Sequence, residues 1–365
     1  MISIRFWRSK AIQEEKHISK TTMTTKQMNG QFYTVNSSYI LDGLPVPPSG
    51  VRVIEPFAGK GDLLTWLNTK GSYLVEAYDI EPKAAGIIQR DTLLHPPDYT
   101  DAWVLTNPPY LARNKSDNKS LFNLYDTNDL YKCFLTSLTR QACRGGILII
   151  PAGFFLSPRD TDVRCRSSFL SRYRLMAVRY FEETVFPDTT TTVVAFAFTA
   201  SAGNLTEQDV SWISLPTGQR RRFMMRAVDN WIIGGDIYRL PGADVGVRRY
   251  VEGLVLKKGE QLTYMTLNAL DSGTAAGRIR LEYKMGYVYP AKESSRTFAT
   301  LCILGRNLTD DEQRDICSLF NAFLEDKRTE TWSLFLPQYR ESKEYARKRI
   351  PFELAYTIIR WLLSS

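Results

Sequence analysis

Histidine occurs only twice in 365 residues, and the five cysteines are an odd, widely spaced set without a Cys-x-x-Cys pair. That scarcity argues against a disulfide framework and against a zinc site, so no metal is expected. Long apolar runs are missing too. The longest, Gly146 to Leu156, is too short for a bilayer span and is broken by Pro151. Residues 1–24 hold no hydrophobic block and read as a flexible extension rather than a secretory signal. The expected location is the cytoplasm, or a nuclear or viral compartment in a eukaryotic host. There is no basic tail either. The net charge of +8 divides evenly between residues 1–200 and 201–365, so any phosphate-binding face must be assembled by folding.

What is present is a core. Hydrophobic residues make up 44% of the chain, with 7 Trp, 19 Tyr and 18 Phe, a composition that packs rather than staying disordered. The length exceeds one ordinary domain, so a catalytic domain over 25–203 and a second domain over 204–365 are expected. From Val51 to Ala200, short β-branched runs alternate with helical spacing, the pattern of an α/β, doubly wound, mostly parallel sheet. Strands are expected at Val51–Phe57, Tyr73–Ile80, Ile87–Arg90, Ala102–Thr106, Ile147–Pro151, Leu175–Phe181 and Thr192–Phe198. A helix is expected over Asn128–Cys143, broken by Gly145-Gly146.

Chemistry concentrates at strand ends. Glu55-Pro56-Phe57-Ala58-Gly59-Lys60-Gly61 joins the first strand to a helix, and its glycines let backbone approach a ligand. It lacks the third glycine of the dinucleotide fingerprint and the Gly-Lys-Ser/Thr of a phosphate loop. Asp79-Ile80-Glu81 follows about twenty residues later, where an acid can accept hydrogen bonds from ribose hydroxyls; Asp79 is the better placed. Asp91 lies beyond the third strand, in reach of an adenine amine. Asn107-Pro108-Pro109-Tyr110 ends the fourth strand. Two prolines stop the ladder and stiffen the turn. Such a turn can aim the Asn107 amide oxygen and the Pro108 carbonyl at one amino group, while Tyr110 offers a flat face for a base.

These motifs, in this order, resemble the amino-methyltransferases with an Asn-Pro-Pro-Tyr motif, in particular the DNA adenine-N6 methyltransferases of the gamma arrangement in restriction-modification systems. The resemblance spans Gly30 to Ala200 and implies a Rossmann-like methyltransferase sheet followed by a target-recognition domain. It implies S-adenosylmethionine as cofactor, held by Tyr33, Thr34, Glu55, Pro56, Phe57, Ala58, Gly59, Gly61, Asp79, Ile80, Asp91 and Asn107. Phe186, before the last core strand, would be the second aromatic against a flipped adenine. Implied partners are double-stranded DNA, bound by a monomer, and a cognate restriction endonuclease. Ser37 and Ser38 follow Val35 where the family often has a proline. The same tetrapeptide occurs in enzymes acting on RNA bases or a glutamine amide, and an inactive DNA-binding partner subunit is a further alternative.

Beyond residue 204 the candidate DNA contacts are Arg220, Arg221, Arg222, Arg248, Arg249, Lys257, Lys258, Arg278 and Arg280. Arg347 to Leu363 has helical spacing and is expected to pack back on the catalytic domain.

Overall fold

The computed structural model describes residues 34, 36–186, 191–271, 278–292, 297–339 and 347–364. Tyr33 lies outside them. In chain order the first elements are α1 (Ser37–Ile40), β1 (Arg52–Glu55), α2 (Asp62–Asn68), β2 (Leu74–Asp79), β3 (Ile88–Gln89) and β4 (Trp103–Thr106). They are followed by α3 (Ser120–Tyr125), α4 (Leu130–Arg140), β5 (Gly145–Pro151), α5 (Gly153–Leu156), α6 (Asp160–Leu170), β6 (Tyr173–Phe181) and β7 (Val193–Ala200). Then come β8 (Glu207–Leu215) and β9 (Gln219–Arg226). Together these strands form one nine-stranded sheet, ordered β3-β2-β1-β4-β5-β7-β6-β8-β9. The pairs from β3 to β5 are parallel, and β7 runs against both β5 and β6. This is a mostly parallel, Rossmann-like sheet.

Side chains alternate across a strand, and here parity selects the core. Val53, Trp103, Leu105, Ile147, Ile149, Ala195 and Ala197 face α1 and α2, packing on Ile40, Leu63 and Trp66. Their odd-out neighbours Ile54, Val104, Leu148, Ile150, Phe196 and Phe198 face α4 and α6, packing on Phe134, Leu138 and Phe169. Helices on both faces explain why the strands read as continuous apolar runs.

Gly145 and Gly146 do more than end a helix. They open β5, where a Cβ on Gly146 would sit 2.2 Å from the Val104 carbonyl oxygen, and one on Gly145 2.6 Å from that of Phe198. Only a bare Cα lets β5 lie between β4 and β7.

The sheet does not stop at residue 203. β8 pairs with β6 in parallel and β9 closes the edge, so the expected boundary falls inside one sheet. A second layer follows: β10 (Gly246–Tyr250), β11 (Glu260–Asn268), β12 (Arg280–Tyr283) and β13 (Phe298–Leu304), ordered β10-β13-β11-β12, with α7 (Asp310–Thr331). α7 opens on a capping box, Thr309 Oγ1 accepting from Glu312 N while the Glu312 carboxylate accepts from Thr309 N at 2.7 Å. The short pair β14 (Gln338–Tyr339) and β15 (Arg347–Lys348) precedes α8 (Phe352–Leu362). The helical spacing expected from Arg347 therefore begins only at Phe352. Moreover, α8 buries Leu354, Ile358 and Ile359 with Leu301, Ile303 and Phe320 in the second core, not against the first sheet as expected. Its apolar stripe matches a β-layer that sequence periodicity had not resolved.

The two cores meet along residues 231–233 and 332–336. Trp231, Ile233 and Leu334 enter the first core, whereas Ile232, Phe335 and Leu336 enter the second. Arg166 crosses this seam fully buried, donating from Nε to the Asn230 carbonyl at 2.7 Å and from Nη1 to that of Phe154 at 2.6 Å. Among the described residues, no helix is long and apolar enough to cross a membrane.

Candidate active site

The strand order reverses at β1, which lies between β2 and β4, and crevices at such a switch point, beyond the carboxyl ends of the strands, are where open α/β sheets bind ligands. Glu55, Asp79 and Thr106 are the last residues of β1, β2 and β4, so topology gathers the predicted motifs there.

The glycine turn is knitted down by its surroundings. Ala58 N donates to the Tyr78 carbonyl at 2.8 Å, and Gly59 N to Asp79 Oδ2 at 2.8 Å. The other Asp79 oxygen accepts from Glu81 N, also at 2.8 Å, and Thr92 Oγ1 donates to the Pro56 carbonyl. Gly59 and Gly61 adopt φ of 53° and 80°, a left-handed backbone that glycine tolerates best. Phe57 stands edge-on to Phe134, fixing the turn against α4. Ile80 is exposed. Asp91 Oδ1 accepts from Leu93 N and Leu94 N, so one oxygen is spent on its own turn.

Glu55 is 1% exposed, and its Oε2 has no hydrogen-bond partner among the described residues. Burial, reinforced by the charges of Asp79 and Asp62, pushes its carboxyl well above the usual carboxylate range. A buried acceptor that the fold leaves open is a group awaiting a donor.

The Asn107 amide is oriented by its partners. Its Nδ2 donates to Thr34 Oγ1 at 3.1 Å, and its Oδ1 accepts from the Tyr110 hydroxyl, which also lies 2.7 Å from the Ile149 carbonyl. Tyr110 is half-buried and meets Tyr131 edge-on, with ring centroids 6.3 Å apart. Burial, with the nearby charge of Asp129, pushes its hydroxyl well above the ordinary tyrosine range. It therefore stays a donor.

Because β7 is reversed, the connection from β6 returns at the carboxyl edge, which carries Phe186 to the same end as Asn107. Phe186 itself is 1% exposed and sits in the core cluster that Tyr110 flanks.

Sequence pattern does not reveal the polar network beneath this corner. Ala112 bridges Asp129, with Leu130 N on the Leu111 carbonyl at 3.1 Å, so the strand end after Tyr110 is pinned to the start of α4. Burial raises the Asp129 carboxyl to about 6. Lys132 Nζ pairs with Asp162 and donates to Asn128 Oδ1 at 2.6 Å, and burial lowers Arg166 to about 10. Charged residues on a helix normally signal a wet face, which is why pattern alone misses these.

Of the basic candidates, Arg221, Arg222, Arg248, Arg278 and Arg280 make internal contacts. Arg221 donates to the Thr329 and Glu330 carbonyls near the end of α7 and lies over Trp332. Arg222 pairs with Asp209, Arg248 with Glu260, Arg278 with Glu325 and Arg280 with Glu282. Arg220 and Arg249 are exposed on β9 and β10, and Lys257 and Lys258 are exposed in the β10–β11 loop.

No protein-family model and no curated protein matches the chain. Solved structures do. A modification subunit assigned to a type I restriction enzyme of Vibrio vulnificus matches at 15% identity and a TM-score of 0.40, over 59% of this chain and 52% of that one. A protein assigned as a class I S-adenosylmethionine-dependent methyltransferase of Listeria monocytogenes matches at 15% identity and 0.39, over 58% and 72%. The type I restriction-modification methyltransferase subunit of Streptococcus thermophilus matches at 15% and 0.36, over 51% and 47%. The chain thus spans about half the length of the first of these, and its structural neighbours are methyltransferases, several of them from restriction-modification systems.

Proposed function

We propose that this chain is an S-adenosylmethionine-dependent DNA methyltransferase that modifies the N6 amine of adenine. The observation that carries the reading is the Asn107 amide, held between Thr34 and Tyr110 at the end of β4, next to the glycine turn. Thr34 on Nδ2 and Tyr110 on Oδ1 fix which way the amide faces, and on this reading one of the two lone pairs of the amide oxygen goes to a substrate. That lone pair takes one hydrogen of an exocyclic amine and fixes its orientation.

The residues present fit the cofactor. Glu55 offers a buried acceptor without a partner to an ammonium or hydroxyl, and the Gly59–Gly61 backbone is open to close approach. Thr34, Glu55, Gly59, Asp79 and Asp91 would hold it, and when bound it supplies a methyl group on a sulfonium leaving group. The chain's own work is then orientation and exclusion of water. Asn107 and the Pro108 carbonyl orient the amine, the Tyr110 ring supports the base, and Phe186 closes the opposite side once the base has displaced its present packing. Leaving the stack costs the adenine a few kcal/mol, which aromatic contacts of about 1–3 kcal/mol per base offset. The proposed partners are duplex DNA, a monomeric binding mode and a cognate endonuclease.

Incubation with cofactor labelled in the methyl group should label adenine in duplex DNA. Label in RNA or in a glutamine-containing protein instead, or no turnover despite cofactor binding by calorimetry, would overturn the reading. Asn107→Ala should keep cofactor binding and lose transfer by roughly 10²–10³-fold, the usual cost of removing one preorganised electrostatic contact.

A further inference from the structure

The loop between β10 and β11 exposes three consecutive apolar residues, Leu254, Val255 and Leu256, with Val255 at 90% the most exposed large hydrophobic side chain of the described residues. Such a run on a soluble surface is unfavourable unless something covers it. Lys257 and Lys258 follow at once, and neither ammonium has a carboxylate within 4 Å among the described residues, unlike Arg222, Arg248, Arg278 and Arg280. The loop is held in shape. Leu254 N donates to the Val251 carbonyl, Glu260 N to that of Lys257, and Lys257 N to Glu260 Oε2 at 2.9 Å. Arg248 grips that same Glu260 through two hydrogen bonds of 2.6 Å. Gly253 and Gly259 bracket the tip in left-handed backbone. A second loop is fastened alongside by Ala291 N on Glu252 Oε2, in the stretch that also carries exposed Met285.

We propose that the 254–258 tip is a preformed contact for duplex DNA, the lysines on backbone phosphates and the apolar side chains in a groove. Charge decides the occupant: two exposed lysines with no ion pair within 4 Å among the described residues, beside an apolar tip on a chain of net charge +8, complement a polyanion with apolar base edges. This rests on the DNA reading above and names the surface that binds it.

The test measures binding of the full chain to a 30-base-pair duplex by fluorescence anisotropy from 50 to 200 mM salt, alongside adenine labelling and thermal melting. Lys257→Ala with Lys258→Ala should reduce the magnitude of the slope of log affinity against log salt by about two, at roughly 0.9 per phosphate contact. Val255→Ser should weaken binding several-fold at every salt with the slope unchanged. Both should melt like the wild type. If the wild type labels adenine while these variants keep its affinity and slope, the loop assignment falls and the function stands. If the wild type neither binds DNA nor labels adenine, both fall. Self-association of the wild type in sedimentation that Val255→Ser abolishes, with DNA affinity untouched, would make the tip a protein contact and overturn the proposal.

Discussion

Tyr110→Phe separates two roles that the sequence lends to one residue. The substitution keeps the ring and deletes the hydroxyl that faces Asn107 Oδ1 and the Ile149 carbonyl. Both acceptors are interior, and an unsatisfied buried polar group costs about 1–3 kcal/mol. Part of that cost falls on stability. The part that concerns function is the Asn107 amide, which would then lose its contact with the Tyr110 hydroxyl and could turn away from the amine. If the loss is felt in the transition state, about 1–3 kcal/mol corresponds to roughly a 5- to 150-fold slower transfer, at about 1.4 kcal/mol per factor of ten. Single-turnover labelling with saturating cofactor and duplex reads this rate, and 2-aminopurine fluorescence at the target position reads base capture. The expectation is a slower rate with capture intact, whereas Tyr110→Ala loses both. A Phe variant that transfers at the wild-type rate, or that loses capture as fully as Ala, would refute the idea that the hydroxyl positions Asn107.

Three further outcomes follow from the packing and the charges. Gly146→Ala drives a methyl group to 2.2 Å from the Val104 carbonyl oxygen and 2.9 Å from the Phe198 ring, so β5 must shift; a loss of about 1–3 kcal/mol or more is expected in urea unfolding. Lys132→Met leaves the buried Asp162 carboxylate with Ser157 Oγ but without its cation and should cost about 3–5 kcal/mol, with much of the loss recovered when Asp162→Leu is added; failure of that recovery would show the pair is not coupled. Glu55 has a folded-state affinity for protons above its unfolded one, so its ionisation weakens the fold as pH rises from the ordinary carboxylate range toward the raised value. Glu55→Gln should therefore raise the urea midpoint at pH 8 relative to the wild type and leave pH 4 little changed, while weakening cofactor binding.

The parallel half of the sheet was legible because buried strands between two helical layers are apolar, as β4 and β5 are along nearly their whole length and β1 is at Val53 and Ile54. Of the candidate site, the layout was legible where it depends on turn chemistry: Gly59 donates to Asp79, and Asn107 follows the end of the neighbouring strand β4, because strand ends share one edge. Less could be seen where tertiary context overrides local pattern. Gly145 and Gly146 looked like helix breakers, yet their role is strand-to-strand proximity. β8 and β9 carry Asp209 and Arg220 to Arg222 on an edge, so their alternation resembled mixed surface, and the sheet's true end at Arg226 was hidden. Lys132 and Asp162 are buried as an ion pair and Arg166 through the backbone carbonyls of Phe154, Ser157 and Asn230, a fact of pairing between elements that no single stretch announces.

The seam between the two cores constrains how the molecule moves. Arg166 donates across it, Gln338 Nε2 reaches the Tyr180 hydroxyl, and Lys348 donates to the Trp332 carbonyl at 2.8 Å while lying over the Tyr180 ring. A jaw-like swing of one half against the other would strip these interior donors of their acceptors all at once. For the duplex proposed as substrate, admission would then fall to the loops at the rim rather than to the seam.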